Sequence, residues 1–213
     1  MTIRVLLADD HALMREGLRV LLEADPQVTV VSAVANGREA VRAARELSPD
    51  IAVMDISMPD LNGIEATREI RSRSPATQVV VLSMHSSREH VHQAFAAGAL
   101  GYLLKESASA EVLTAIRHAR AGLRYVSSAI GLAPEYLNAE DPKKSPIASL
   151  SSRERQVLQL VVEGKSSAEI ARIVHLSRKT VETYRSRLMK KLGVADVTAL
   201  VKFAVEHGLT PSA

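Results

Sequence analysis

Five short aliphatic and β-branched runs, each followed by a stretch with helical spacing, constrain the first 122 residues of this 213-residue chain more than any other feature. The runs are IRVLLA (3–8), VTVVSAV (28–34), IAVMD (51–55), QVVVLS (78–83) and LGYLL (100–104). They are almost continuously apolar rather than alternating, which marks strands of a parallel sheet covered on both faces. Between them, His11–Glu23, Arg38–Leu47, Ile64–Ser72, Arg88–Ala97 and Ala110–Ala121 carry helical periodicity. Asn36 is predicted to cap the second helix, Ser86 and Glu89 form a capping-box pattern, and Gly98 closes the fourth helix. Five such units predict a doubly wound α/β domain with five parallel strands.

Residues 123–149 change character. Prolines at 134, 142 and 146, interleaved with charge, read as a linker with a short helix near Ser128–Leu137. From Ser151 onward the pattern is purely helical, over Ser152–Glu163, Ser167–Val174, Arg178–Leu192 and Val197–His207. Ser151 with Glu154 and Ser166 with Glu169 are capping boxes, Gly164 ends the first of these helices, and Ser177 caps the third. Only His175, Leu176 and Ser177 separate the second helix from the third, which is helix-turn-helix spacing. The chain thus divides into 1–122, a linker 123–149, and a four-helix all-α domain at 150–213. No cysteine is present, which excludes disulfides and thiolate metal sites and fits a reducing cytoplasm. MTIRVLLADDH is no signal peptide, and no stretch approaches the roughly 20 apolar residues of a membrane span. A soluble, intracellular protein is expected.

Function in open α/β sheets gathers at the carboxyl ends of the strands. There the sequence places Asp9 and Asp10 after the first strand, Asp55 closing the third, Ser83 ending the fourth and Lys105 following the fifth. Clustered carboxylates need a cation, and an all-oxygen set of this kind suits Mg²⁺. A carboxylate can attack a phosphoryl donor to give an aspartyl phosphate. Lys105 would balance charge on the transferring group and Ser83 would hydrogen-bond a phosphate oxygen. Taken singly, Asp10 reads more readily as the N-cap of the first helix. It is the set of five at the correct strand ends that carries the inference. The seven histidines offer no rival site: no HExxH pattern exists, and His90 and His92, two apart, face different sides of a helix.

Charge is unevenly spread. Residues 1–122 carry 13 Lys and Arg against 15 Asp and Glu, whereas residues 150–213 carry 11 against 6. That excess suggests a polyanion partner for the C-terminal third. Projected at about 100° per residue, Arg178–Leu192 places Val181, Tyr184, Leu188 and Leu192 on one face for the core. Lys179, Thr183, Ser186 and Lys190 lie opposite, flanked by Glu182 and Arg187, with Thr180 also a candidate contact. These groups reach phosphates and base edges in a major groove. Arg185 projects nearer the apolar side and ranks below them.

The order Asp9-Asp10, Asp55-Ile-Ser-Met-Pro59-Asp-Leu-Asn-Gly63, Ser83 and Gly101-Tyr102-Leu-Leu-Lys105 resembles a response-regulator receiver domain. The resemblance implies a flavodoxin-like fold with strand order 2-1-3-4-5 and a sensor histidine kinase as phosphate donor. By position Asp55 matches the phosphoacceptor, Asp10 the direct Mg²⁺ (or Mn²⁺) carboxylate, and Asp9 its neighbour. Ser57 matches the residue giving a backbone carbonyl to the metal, Ser83 and Tyr102 the pair that rearranges on phosphorylation, and Lys105 the phosphate-binding lysine. Glu106 follows Lys105 where many receivers have a proline, often cis. A cis bond at a non-proline residue costs about 2.5–4 kcal/mol, which leaves that loop's geometry open.

Downstream, Leu150-Ser-Ser-Arg-Glu154-Arg-Gln-Val-Leu158, Glu169-Ile-Ala171, Ser177-Arg-Lys-Thr-Val-Glu-Thr-Tyr184-Arg and Lys190-Lys-Leu-Gly193-Val resemble the LuxR-type helix-turn-helix. The whole chain is therefore similar to a NarL/FixJ-type response regulator. That implies a cytoplasmic transcription regulator, not an enzyme beyond Mg²⁺-dependent transfer to its own Asp55. The implied partners are the kinase, double-stranded promoter DNA, a second copy of the chain when phosphorylated and, as a further candidate, RNA polymerase. Family members often have lysine where Glu182 stands, so base preference at that contact should differ. An aspartyl-nucleophile phosphohydrolase is the rival reading. Against it, Ser57 stands where the acid/base aspartate is needed, and no substrate-cap insertion is present. Control independent of phosphate is a second rival, opposed by the complete acidic set.

Overall fold

The structure, a computed structural model, describes residues 2–131 and 149–206. It divides into two compact units, residues 1–140 and 141–213. In the first, strands β1 (Ile3–Ala8), β2 (Val28–Val34), β3 (Ile51–Asp55), β4 (Gln78–Ser83), β5 (Gly101–Leu104) and β6 (Tyr125–Val126) form one parallel sheet in the order β2-β1-β3-β4-β5-β6. Helices α1 (Ala12–Glu23), α2 (Gly37–Leu47), α3 (Gly63–Arg73), α4 (Arg88–Ala96) and α5 (Ala108–Arg120) connect them.

Because successive strand side chains point to opposite faces, each apolar run feeds two cores at once. Val5, Leu7, Val53, Val80, Leu82 and Leu103 share one cluster with Leu18 and Leu22 of α1 and Val112, Ala115 and Ile116 of α5. Leu6, Ala8, Ala52, Met54, Val79, Val81 and Tyr102 share the other with residues of α2, α3 and α4. This double coverage is the reason the runs lack alternation in the sequence.

The register places the functional ends. Ala8 pairs with Met54, so Asp9 follows beside Asp55; Ser83 pairs with Leu104, so Lys105 lies one residue further on.

Three local details differ from the sequence reading. The sheet has a sixth strand, Tyr125–Val126, pairing parallel to β5 inside the stretch read as linker. Two residues carry no periodicity, so no pattern announces them. A 3₁₀ turn at Ser128–Ile130 follows, and the rest of the helix expected up to Leu137 lies outside the described residues. The α4 cap is Ser87, not Ser86: its Oγ accepts from the His90 N–H and lies 2.6 Å from His90 Nδ1. The reciprocal partner at the third helical position is thus a histidine one residue beyond Glu89. Asn36 does cap α2, accepting from the Glu39 N–H, and Gly98 follows α4 with φ 99°.

The loop from β3 into α3 is closed by Gly63, and here a side chain has no room. A Cβ at Gly63 would lie 2.0 Å from the Asp55 carbonyl oxygen, a backbone atom that cannot swing aside. G63A is expected to cost about 2 kcal/mol or more, at the upper end of overpacking effects, and to displace Asp55. Urea unfolding of the full chain checks this; a loss below about 0.5 kcal/mol would show that the loop relaxes freely.

The second unit comprises α6 (Ser152–Val162), α7 (Ser167–Val174), α8 (Arg178–Leu192) and α9 (Val197–Glu206). Both expected capping boxes form, at Ser151/Glu154 and Ser166/Glu169. Ser177 caps α8 by accepting from the Thr180 N–H, and Gly193 ends it at φ 66°. Val181 and Leu188 of α8 are fully buried among Val157, Leu158, Leu160, Ile170, Val174, Leu200 and Ala204. Each such side chain contributes about 1.5–3 kcal/mol, enough to hold a helix whose other faces are polar. Lys191 Nζ reaches Glu154 Oε2 at 2.8 Å and ties the end of α8 to the start of α6.

Candidate functional site

At the carboxyl edge of the sheet, Asp55 and Asp9 are each 1% exposed and meet at Lys105. Lys105 Nζ lies 2.8 Å from Asp55 Oδ2 and 2.9 Å from Asp9 Oδ2. The Ser57 N–H donates to Asp55 Oδ1 at 3.2 Å. Asp10 is half-buried, with Oδ1 2.9 Å from His11 Nδ1. The helix N-cap position belongs to His11, whose side chain makes no capping bond, so Asp10 is not spent on capping α1. Lys105 opens a single 3₁₀ turn, Lys105–Ser107, and no cis peptide occurs among the described residues.

The electrostatics of this cluster are unbalanced. Burial and then the charge of Asp9 push Asp55 up to about 6, against the opposing pull of Lys105 and the Ser57 N–H. Burial alone would lower Lys105, but its contacts with Asp55 and Asp9 outweigh that and hold it above its ordinary value. A carboxylate raised from 3.8 to about 6 favours folding only while protonated. Its ionisation costs stability progressively as pH rises between those values, and the full deficit, about 3 kcal/mol at 1.36 kcal/mol per unit, stands above pH 6. In EDTA at pH 7.5, D55N is therefore expected to be the more stable protein, with the gap closing towards pH 4. A melting curve showing D55N no more stable at pH 7.5 would contradict the strain.

A divalent cation fits this set. One ligand atom from each of Asp9, Asp10, His11 and Asp55 can be chosen so that all lie within 4.8 Å of one another. Octahedral ligands at about 2.1 Å span about 4.2 Å across the ion, so only a small contraction is needed. His11 was not among the candidates read from the sequence, although its position directly after Asp9-Asp10 was the available signal.

Ser83 and Tyr102 converge on one loop residue. The His85 N–H donates to Ser83 Oγ at 3.0 Å, and the Tyr102 hydroxyl donates to the His85 carbonyl at 2.7 Å. Tyr102 is fully buried, and burial pushes its phenol above the ordinary range. His85 stacks on His90 with ring centroids 4.5 Å apart.

On α8, Lys179, Glu182, Thr183, Ser186, Arg187 and Lys190 are exposed, and Thr180 is half-buried. Lys179, Thr180, Thr183 and Arg187 line a surface cavity of about 300 Å³ together with Ser177 and Tyr184, which the sequence reading had not placed among the contacts. Glu182, Ser186 and Lys190 lie outside that lining. Arg178 Nε bonds Glu182 Oε1 at 3.0 Å, an exposed pair of the kind worth at most about 1 kcal/mol. Arg185 instead donates to Ser167 Oγ of α7 at 2.9 Å, in keeping with its lower rank.

Residues 5–117 match the response regulator receiver domain, and residues 148–204 match the bacterial regulatory proteins of the luxR family. The chain is 37% identical over 210 residues to the transcriptional regulatory protein MctR of Rhizobium johnstonii, covering 97% of this chain and 95% of that one. It is 38% identical over 208 residues to the response regulator UvrY of Escherichia coli, again covering 97% and 95%. This chain belongs to the LuxR-type response regulators. The response regulator RcsB, solved in complex with DNA, is similar at a TM-score of 0.60 and 25% identity, covering 96% of this chain and 98% of that one. A further RcsB structure holds two dimers on two parallel DNAs. This LuxR-type regulator therefore combines a flavodoxin-like receiver with a helical DNA-binding domain. Among the described residues no helix is long and apolar enough to cross a membrane.

Proposed function

We propose that Asp55 is the phosphoacceptor of this response regulator and that its phosphorylation controls DNA binding by α8. The observation that carries the reading is the Lys105 ammonium bridging Asp55 and Asp9, with Asp10 alongside, at the carboxyl edge of the sheet. A sensor histidine kinase is the proposed donor. An Asp55 carboxylate oxygen attacks phosphorus, and the P–N bond to the donor imidazole breaks, its electron pair staying with that ring. Asp10, Asp9, Asp55 and the Ser57 carbonyl would hold Mg²⁺ (or Mn²⁺), which would supply charge neutralisation for the phosphoryl oxygens. Lys105 would neutralise a further oxygen, and Ser83, whose Oγ accepts from the His85 N–H, would donate its hydroxyl proton to another.

The added charge of roughly −1.5 to −2 then biases the Ser83–His85–Tyr102 chain, since both hydroxyls depend on one loop residue. The altered receiver surface promotes a homodimer that binds promoter DNA, with half-sites about one helical turn apart. The receiver, its sheet completed by β6, would carry the phosphoryl chemistry, and residues 150–213 the DNA. Such a regulator works in the cytoplasm and meets RNA polymerase at its promoters. That the similar regulator RcsB has been solved in complex with DNA supports the DNA-binding part of this reading.

Genome-wide mapping of bound sites, wild type against D55N, tests the whole scheme. Promoter occupancy should collapse in D55N; equal occupancy would favour control without phosphate. Glu182 gives a finer test. Once released from Arg178, a glutamate accepts from cytosine N4 rather than donating to guanine. E182A is expected to relax base preference at one position of each half-site by about 1–3 kcal/mol, read by binding to a randomised operator library. An unchanged motif would remove Glu182 from the contacts.

A further inference from the structure

We infer that His11 is itself a ligand of the cation, and that it biases the site towards first-row transition-metal ions such as Mn²⁺ over Mg²⁺. This rests on the cation site proposed above. His11 stands at the N-cap of α1, yet its ring forms no capping bond. The imidazole turns to the acidic cluster instead, with Nδ1 2.9 Å from Asp10 Oδ1 and 3.4 Å from Asp9 Oδ1. Its backbone N–H also donates to Asp9 Oδ1 at 2.8 Å, so main chain and ring are both registered against the same carboxylate.

Those two ring distances have a meaning for coordination. Two ligands at right angles on one ion, each bonded at about 2.1 Å, stand about 3 Å apart. The edges from His11 Nδ1 to Asp10 and to Asp9 are close to that value, so two edges of one octahedral face are already in place. An ion seated against that face would meet two carboxylates and one imidazole nitrogen, with Asp55 completing the protein's share. The ring nitrogen already stands at ion-pair distance from Asp10, and the side chain is 46% exposed, so it is free to turn onto an ion.

The selectivity follows from the donor atom. Mg²⁺ binds oxygen and keeps several waters, whereas transition-metal ions accept imidazole nitrogen readily. An all-carboxylate site would offer Mn²⁺ and Mg²⁺ the oxygen ligands that suit both. A nitrogen donor adds an interaction that Mg²⁺ scarcely uses.

The test is Mn²⁺ binding by the full-length protein, followed by electron paramagnetic resonance with Mg²⁺ as competitor. Pulsed spectra of the Mn²⁺-loaded wild type should show coupling to a ¹⁴N nucleus. H11A and H11Q should both lose that coupling, while H85A and H92A keep it. Both His11 variants should lose about 10-fold in Mn²⁺ affinity, on the scale of ligand-shell losses, with Mg²⁺ affinity changing less than about 2-fold. H11Q matters because a glutamine amide can hydrogen-bond Asp10 without offering an imidazole nitrogen, so its retaining full Mn²⁺ affinity would reduce His11 to a positioning residue and overturn the inference. Mn²⁺ bound without nitrogen coupling, but lost in D10N, would overturn it while leaving the cation site standing. Mn²⁺ binding indifferent to D10N, or absent altogether, would remove the cation site and this inference together.

Discussion

D55N is expected to take no phosphoryl label, where the wild-type chain incubated with a phosphohistidine donor and divalent cation gains a label that hydroxylamine removes. The substitution keeps the shape of the side chain and replaces one nucleophilic carboxylate oxygen by a neutral amide. Nothing else in the cluster is positioned to substitute for it. Asp9 lies nearest, but its Oδ1 accepts from the His11 N–H and its Oδ2 faces Lys105, so both oxygens are engaged. Asp10 is turned to the His11 ring. Label persisting on D55N, at even a tenth of the wild-type rate, would transfer the role to one of those two residues. The stability result in EDTA serves as the control, since a D55N protein that melts no lower than wild type has lost its label through chemistry rather than unfolding.

Much of this site could be read in the sequence because each of its members ends a strand, and strand ends are where an apolar run stops. Asp9, Asp55, Ser83 and Lys105 are each the first or last polar residue beside such a run, and the parallel register then aligns them. His11 is not legible in this way, for the opposite reason. Its role depends on which way one exposed ring turns at a helix start, and neither periodicity nor capping chemistry encodes that direction. The β6 strand was hidden by its length, since two residues cannot display a period of two. The shift of the α4 cap from Ser86 to Ser87 was hidden by adjacent serines with equal propensity; the His90 ring, reaching back to Ser87 Oγ, decides between them. On α8 the buried stripe was legible from spacing. Which polar residues share the cavity was not, because lateral placement around Tyr184 depends on how α7 and α8 pack.

The double variant K179A/R187A should weaken operator binding at least about 100-fold, whereas R185A should change it less than about 3-fold. All three residues are cationic and sit on one helix, so net charge alone predicts similar losses. The structure separates them. Lys179 and Arg187 are exposed and line the same cavity, two turns apart on the outer face of α8. Arg185 is drawn to Ser167 and donates within the domain. A lost bidentate base contact is worth about 1–3 kcal/mol, and a dimer loses each contact twice, so the 100-fold figure is a lower bound. The dependence on salt identifies what was lost. Each phosphate contact removed lowers the slope of log K against log salt by about 0.9, while a lost base contact leaves the slope alone and relaxes specificity. If R185A proved as damaging as the double variant, with the domain still folded by circular dichroism, the outer face of α8 would not be the surface that enters the groove.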